Sequence, residues 1–148
     1  MVTTIAGNCG GLKQSVDGTG NAAHFQEVDS LSITADGIIY VSDNNAVRAV
    51  TLAGEVTTLP ISVPGHGGKA TVADNFGNLL ISSRRDDSNG NGKIYIYSNG
   101  ELTVFSEDKN HSPVRLAMGP DGSPYVLDNQ RTADGVGFVH VDRIVRIQ

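Results

Sequence analysis

The stretch Ser32-Ile33-Thr34-Ala35-Asp36-Gly37-Ile38-Ile39-Tyr40-Val41-Ser42-Asp43 recurs twice more along the chain. It answers to Val72-Ala73-Asp74-Asn75-Phe76-Gly77-Asn78-Leu79-Leu80-Ile81-Ser82-Ser83, and again to Ala117-Met118-Gly119-Pro120-Asp121-Gly122-Ser123-Pro124-Tyr125-Val126-Leu127-Asp128. Its turn glycines, Gly37, Gly77 and Gly122, lie 40 and 45 residues apart. A unit of about 40–50 residues with four short strands reads as one blade of a β-propeller. Propellers close with roughly four to eight blades, so three units predict part of a ring.

Outward from the turn, each unit is expected to run as strands a to d, from the channel to the rim. Strand a is expected over 31–35, 70–74 and 114–118, and strand b over 38–42, 79–83 and 125–128. Strand c follows at 47–52, 93–97 and 143–147, and strand d at 56–59 and 102–105. β-Branched and aromatic residues crowd these runs, and no helical period is sustained. The opening Val2-Thr3-Thr4-Ile5 nearly copies Val56-Thr57-Thr58-Leu59, so the chain is expected to open on a strand d. It closes on a strand c, at Ile144-Val145-Arg146-Ile147. The expectation is one all-β domain over 1–148, with four-stranded antiparallel repeats at approximately 2–55, 56–101 and 102–148.

Composition agrees and removes some functions. The 18 glycines in 148 residues suit a molecule of tight turns. No apolar run approaches the ~20 residues of a membrane helix. A net charge of −5 disfavours a general electrostatic hold on nucleic acid or anionic lipid. The single cysteine, Cys9, excludes an internal disulfide. No basic and apolar signal-peptide pattern follows Met1. The compartment is therefore expected to be cytoplasmic, or an exported one if the segment is cut from a longer precursor.

Several groups of residues resemble a known repeat. They are Val2-Thr3-Thr4-Ile5-Ala6-Gly7, Asp17-Gly18-Thr19-Gly20, Ala23-His24-Phe25, Ile39-Tyr40-Val41-Ser42-Asp43 and Val47-Arg48. Together they look like the NHL repeat of six-bladed propellers, with looser copies in Lys93-Ile94-Tyr95, Asn99-Gly100, Ser112-Pro113 and Tyr125-Val126-Leu127-Asp128. The resemblance implies the fold across nearly the whole chain. It leaves function open, because NHL propellers serve as protein- and RNA-binding scaffolds, as lyases and as lactonase-like hydrolases. In the amidating lyases of that family, metal histidines follow the connector proline. The matching places here hold Asp29, Lys69 and Val114, so that ligand set does not carry over.

A meandering blade places its a–b and c–d turns on one face and its d–a and b–c connections on the other. The first set is short and glycine-bearing, as tight hairpins require. The second set varies, at about 7–30, 60–69 and 107–113 for d–a and 84–92 and 129–142 for b–c. Function is expected on that variable face. Its binding candidates are His24, His66, Arg84, Arg85, Asp86, His111 and Arg131.

His24, His66 and His111 fall one per repeat in the d–a connectors, an arrangement that suits zinc if the imidazoles converge; exposed loop histidines are the plainer account. Asp43 and Asp128 occupy one position at the end of strand b. They suit an acid/base pair or a Ca²⁺ site, or else a cap on the b–c turn, a job Ser83 can share. Arg48 and Arg146 are expected at exposed sheet positions with their stems packed down. Phe25 is expected to plug between blades. No catalytic residue and no cofactor is predicted, with Ca²⁺ or Zn²⁺ as the weaker possibility.

A lone three-blade arc exposes two raw edges and its apolar inter-blade faces. Two copies are expected to close a six-bladed homodimer, with Val2, Thr3, Thr4 and Ile5 of one pairing beside Ile144, Val145, Arg146 and Ile147 of the other; the alternative partner is the missing half of a longer chain. The expected function is a non-enzymatic scaffold that recognises a protein, peptide or glycan on the variable face. The alternative is a lactonase-like hydrolase or a lyase with a metal ion in the central channel.

Overall fold

The computed structural model describes residues 1–10, 14–64, 70–83, 92–107, 112–133 and 138–146, with the side chains of all of these except 129–133, 138–143 and 145. Within them the chain is built of antiparallel sheets, with one 3-10 turn at Gly20–Ala22 and no α-helix. The first sheet holds β1 (Gly18–Thr19), β2 (Val28–Ile33), β3 (Ile39–Asp43), β4 (Ala46–Val50) and β5 (Glu55–Thr58), in the order β1-β5-β4-β3-β2. The second holds β6 (Thr71–Ala73), β7 (Leu79–Ser83), β8 (Lys93–Ser98) and β9 (Glu101–Glu107), in chain order. The third holds β10 (Pro113–Met118), β11 (Pro124–Ala133) and β12 (Phe138–Arg146), also in chain order.

The glycine turns fall where the repeat puts them. Gly37, Gly77 and Gly122 have φ of 86°, 85° and 78°, a left-handed conformation that glycine adopts without steric cost. Around each, one backbone bond closes the hairpin: Thr34 N–H to Ile38 O, Asp74 N–H to Asn78 O, and Gly119 N–H to Ser123 O. The inner strands β2, β6 and β10 lie beside one another, β2 against β6 and β6 against β10.

Alternation along the strands gives each sheet two faces, and the facing pairs between neighbouring sheets meet in two seams. In the first, Val47 of the first sheet packs with Leu79, Ile81 and Tyr95 of the second, joined by Val63 from the connector. In the second, Leu80 and Ile94 pack with Val126, Leu116 and Met118. Full burial of each such side chain contributes about 1.5–3 kcal/mol, so these seams hold the sheets in order. A third cluster, Ala23, Val41, Val50 and Val56 with Phe25, lies on the open side of the first sheet. There the connector folds back as a cover, and Phe25 plugs connector to sheet rather than sheet to sheet.

Several expectations are corrected. The first sheet is five-stranded rather than four-stranded, gaining β1, which pairs β5 through Gly18↔Val56 and Thr19↔Glu55; the second has four strands, and the third has the three, a to c, that the chain was expected to supply. Residues 2–5, expected as a strand d, lie in no ladder of the described chain. The loop expected over 129–142 is largely a hairpin, with β11 and β12 paired from Tyr125↔Arg146 out to Ala133↔Phe138. Phe138-Val139-His140-Val141 is a β-branched and aromatic run, which extends the ladder where a loop was expected.

Candidate binding face and its anchors

Strand b ends beside the start of strand a in the first and third sheets, as Val28↔Asp43 and Pro113↔Asp128 show. The d–a connectors therefore arrive where the b–c loops leave. At this junction the repeat places one polar residue per sheet, Asp43, Ser83 and Asp128, and each is fully buried. All three reach the connector that enters their own sheet. Asp43 Oδ1 accepts the N–H groups of Gln26 (2.7 Å) and Glu27 (2.8 Å). Asp128 Oδ1 accepts the N–H of Ser112 at 2.7 Å. Ser83 Oγ donates to Pro64 O at 2.6 Å. The capping role is present, but its target is the incoming connector rather than the expected b–c turn.

The first connector has a second anchor. Arg48, expected at an exposed position, is fully buried. It stands opposite Val41 on the sheet face that also carries Asp43. Its Nη1 donates to Asp43 Oδ2 at 2.8 Å and to His24 O at 3.2 Å, and its Nη2 donates to Asp17 Oδ1 at 2.7 Å. The guanidinium carbon lies 5.3 Å from the centre of the Phe25 ring, within cation–π range. Ser15 Oγ adds a 2.6 Å bond to Asp43 Oδ2. Arg48 Nε is buried and finds no acceptor among the described residues.

Asp17 completes the node from the solvent side. Its carboxylate accepts the Thr58 N–H at 3.0 Å and the Thr58 hydroxyl at 2.8 Å. Partial desolvation raises its pKa, but the Thr58 bonds and the Arg48 charge together hold it below the ordinary 3.8. These bonds tie residues 15–27 to the sheet at several points. A buried carboxylate and guanidinium are tolerable only with such pairing. The sequence carried a signal for this node, because Asp17 and Arg48 are opposite charges inside matched repeat segments.

Of the candidates on this face, His24 is half-buried in a short bridge with Val16, and its carbonyl serves Arg48. Arg131 stands across from His140 in β11–β12, and its side chain lies outside the described ones. His66, Arg84, Arg85, Asp86 and His111 lie outside the described residues, as does the suggested convergence of the three histidines. Among the described residues no three His, Cys, Asp or Glu side chains gather as a metal set. Arg146 is half-exposed as expected and pairs with Asp121 at 2.8 Å. The Ser123 N–H and hydroxyl, then Arg146, hold the Asp121 carboxyl below its ordinary value.

Three solved structures share this arrangement of sheets. Virginiamycin B lyase from Staphylococcus aureus superposes with a TM-score of 0.52 at 15% identity, over 80% of this chain and 40% of that one. A streptogramin B lyase gives 0.53 at 16% identity, over 78% and 40%. A catalytically inactive virginiamycin B lyase with quinupristin, also from Staphylococcus aureus, gives 0.50 at 20% identity, over 74% and 39%. At these identities the likeness shows the fold, which is propeller-like. The chain spans about 40% of the length of the first two lyases. No protein-family model matches it, and no curated protein matches its sequence.

Proposed function

We propose that this chain is a recognition scaffold of the NHL type, half of a six-bladed ring completed by a second copy, which binds a protein, peptide or glycan ligand on the connector face. One observation carries the reading: Asp43, Ser83 and Asp128 all use their buried polar atoms to fix connector backbone. A surface set in its bound shape loses less conformational entropy when a ligand arrives, which is where a rigid scaffold gains affinity. The described ionisable groups at the junction are already engaged in these bonds, so their chemistry is positional.

The test is a screen of the purified chain against a glycan array and a displayed peptide library. Hits are expected to weaken at least tenfold in His24→Ala and Asp43→Ala, and to be unchanged in Phe76→Ser on the opposite turn face. Ligands whose binding falls with Phe76→Ser instead would overturn the placement.

A second reading is a propeller enzyme with a channel metal, favoured by the likeness to the streptogramin lyases. A shared fold does not itself carry an activity. Stoichiometric Ca²⁺ or Zn²⁺ in the purified chain, together with turnover of quinupristin, would replace the scaffold reading with this one.

A further inference from the structure

Each sheet has one face toward the preceding repeat and one toward the following repeat, and the repeat alignment states which residues are equivalent. On the inner strand, the preceding face carries Leu31 and Ile33 in the first sheet, Thr71 and Ala73 in the second, and Leu116 and Met118 in the third. In the second and third sheets these positions are covered. Thr71 is buried and its N–H donates to Ser30 Oγ of the sheet before it, while Ala73 packs into the first seam. Leu116 and Met118 pack into the second seam. In the first sheet the same positions are bare, Leu31 at 66% and Ile33 at 57% exposure.

The opposite end of the chain shows the complementary gap. Val47, Ile94 and Ile144 are equivalent, each paired across strands b and c with Ser42, Ser82 and Leu127. Val47 and Ile94 form the following-side contacts of the two seams and are 0% and 1% exposed. Ile144 is 78% exposed, with its partner Leu127 at 38%. The connector residues agree as well. Ala23 already sits over the first sheet in the place that Val63 fills in the first seam.

We propose that the Leu127–Ile144 face of one copy packs on the Leu31–Ile33 face of a second copy, forming a seam of the same construction as the two within the chain. This inference rests on the homodimer reading above. A second copy is the occupant because it supplies two complements at once. It brings a matching apolar face, and it brings Val2-Thr3-Thr4-Ile5, a copy of strand d for the edge of β12 that no described strand pairs. With three sheets in each chain, a two-fold axis makes two equal seams and leaves no face open.

Light scattering of the 148-residue chain, Ile33→Glu and Ile144→Lys tests the seam, with circular dichroism as the folding control. The wild type is expected at twice the 15.5 kDa chain mass. Each variant is expected at the single-chain mass with its β spectrum kept, because both sites are exposed in the lone chain. An equimolar mixture of the two variants should regain the doubled mass, since one seam is then native and the other joins Glu to Lys. A second measurement uses Ile33→Cys with Ile144→Cys in a Cys9→Ser background, where oxidation should give a covalent dimer. A wild type that stays monomeric at all concentrations overturns the homodimer reading and the seam together. A wild-type dimer whose two single variants also stay dimeric, with no cross-linked product, overturns the seam alone.

Discussion

Arg48 shows how one buried charge can set the shape of a surface. Its guanidinium joins Asp43 on the sheet, Asp17 at the edge and the His24 carbonyl of the connector, so the charge is neutralised while three segments are held together. Arg48→Ala leaves the fully buried Asp43 without its cation, and breaking such a pair costs about 3–5 kcal/mol. Urea unfolding of Arg48→Ala is therefore expected to lose a large part of the stability of a small domain, with the first connector the most disturbed. Asp17 gives the node a pH dependence. Its folded pKa lies below the ordinary 3.8, so the folded state favours the charged form. The contribution is whole above about pH 5 and fades as pH falls through 3.8 and then through the lower folded value. Since Asp17 is half-exposed, the effect is small and sensitive to salt. Thermal melts between pH 6 and pH 2.5 should show a shallower acid loss in Asp17→Asn; an unchanged slope would remove Asp17 from the acid response.

The hairpin turns carry the clearest link between sequence and element. Gly54 and Gly100 close equivalent c–d turns with φ of 86° and 85°. A side chain in that conformation costs about 1–2 kcal/mol. The two sites differ in their surroundings. A Cβ at Gly100 meets nothing within 4 Å, whereas one at Gly54 would lie 2.6 Å from the Ile5 carbonyl oxygen. Gly100→Ala is expected to cost only the backbone strain. Gly54→Ala is expected to cost more and to raise amide exchange at Gly7, whose N–H donates to Gly20 O at 3.1 Å in the same corner. Equal losses for the two variants would show that the opening segment does not rest on this turn. These turns were legible in the sequence because glycine chemistry is local, and the inner strands were legible because alternation is local too. The β11–β12 hairpin was less so, since its register depends on pairing between runs that a loop and a ladder share equally. Asp43 was readable as an anchor but its target was not, because the connector it holds lies 16 and 17 residues away in the chain. Arg48 was misplaced for a related reason. A strand position tells which face a side chain takes, and only the folded connector decides whether that face is covered.

Among the described residues there are two closed seams and two open ends. Leu31 and Ile33 face outward at one end, and at the other Ile144 is exposed beside the outer edge of β12, which no described strand pairs. A sheet edge left unpaired beside an exposed apolar face is a template for association. In the proposed dimer, packing and strand exchange would make separable contributions. The proposed apolar seam is non-directional and would scale with buried area, whereas the proposed pairing of residues 2–5 with β12 would fix register through backbone hydrogen bonds. Removing residues 1–6 should therefore leave the β spectrum of the chain intact, because none of these residues lies in a ladder of the single chain. In sedimentation velocity the deletion is expected to shift the monomer–dimer equilibrium at least a hundredfold toward monomer, through the loss of two closing strands per ring. A synthetic peptide of residues 1–7 should bind the deleted chain at its β12 edge and protect the amides of that strand from exchange. If the deleted chain keeps the dimer affinity of the full one, the apolar seam is sufficient and residues 2–5 have no part in closure.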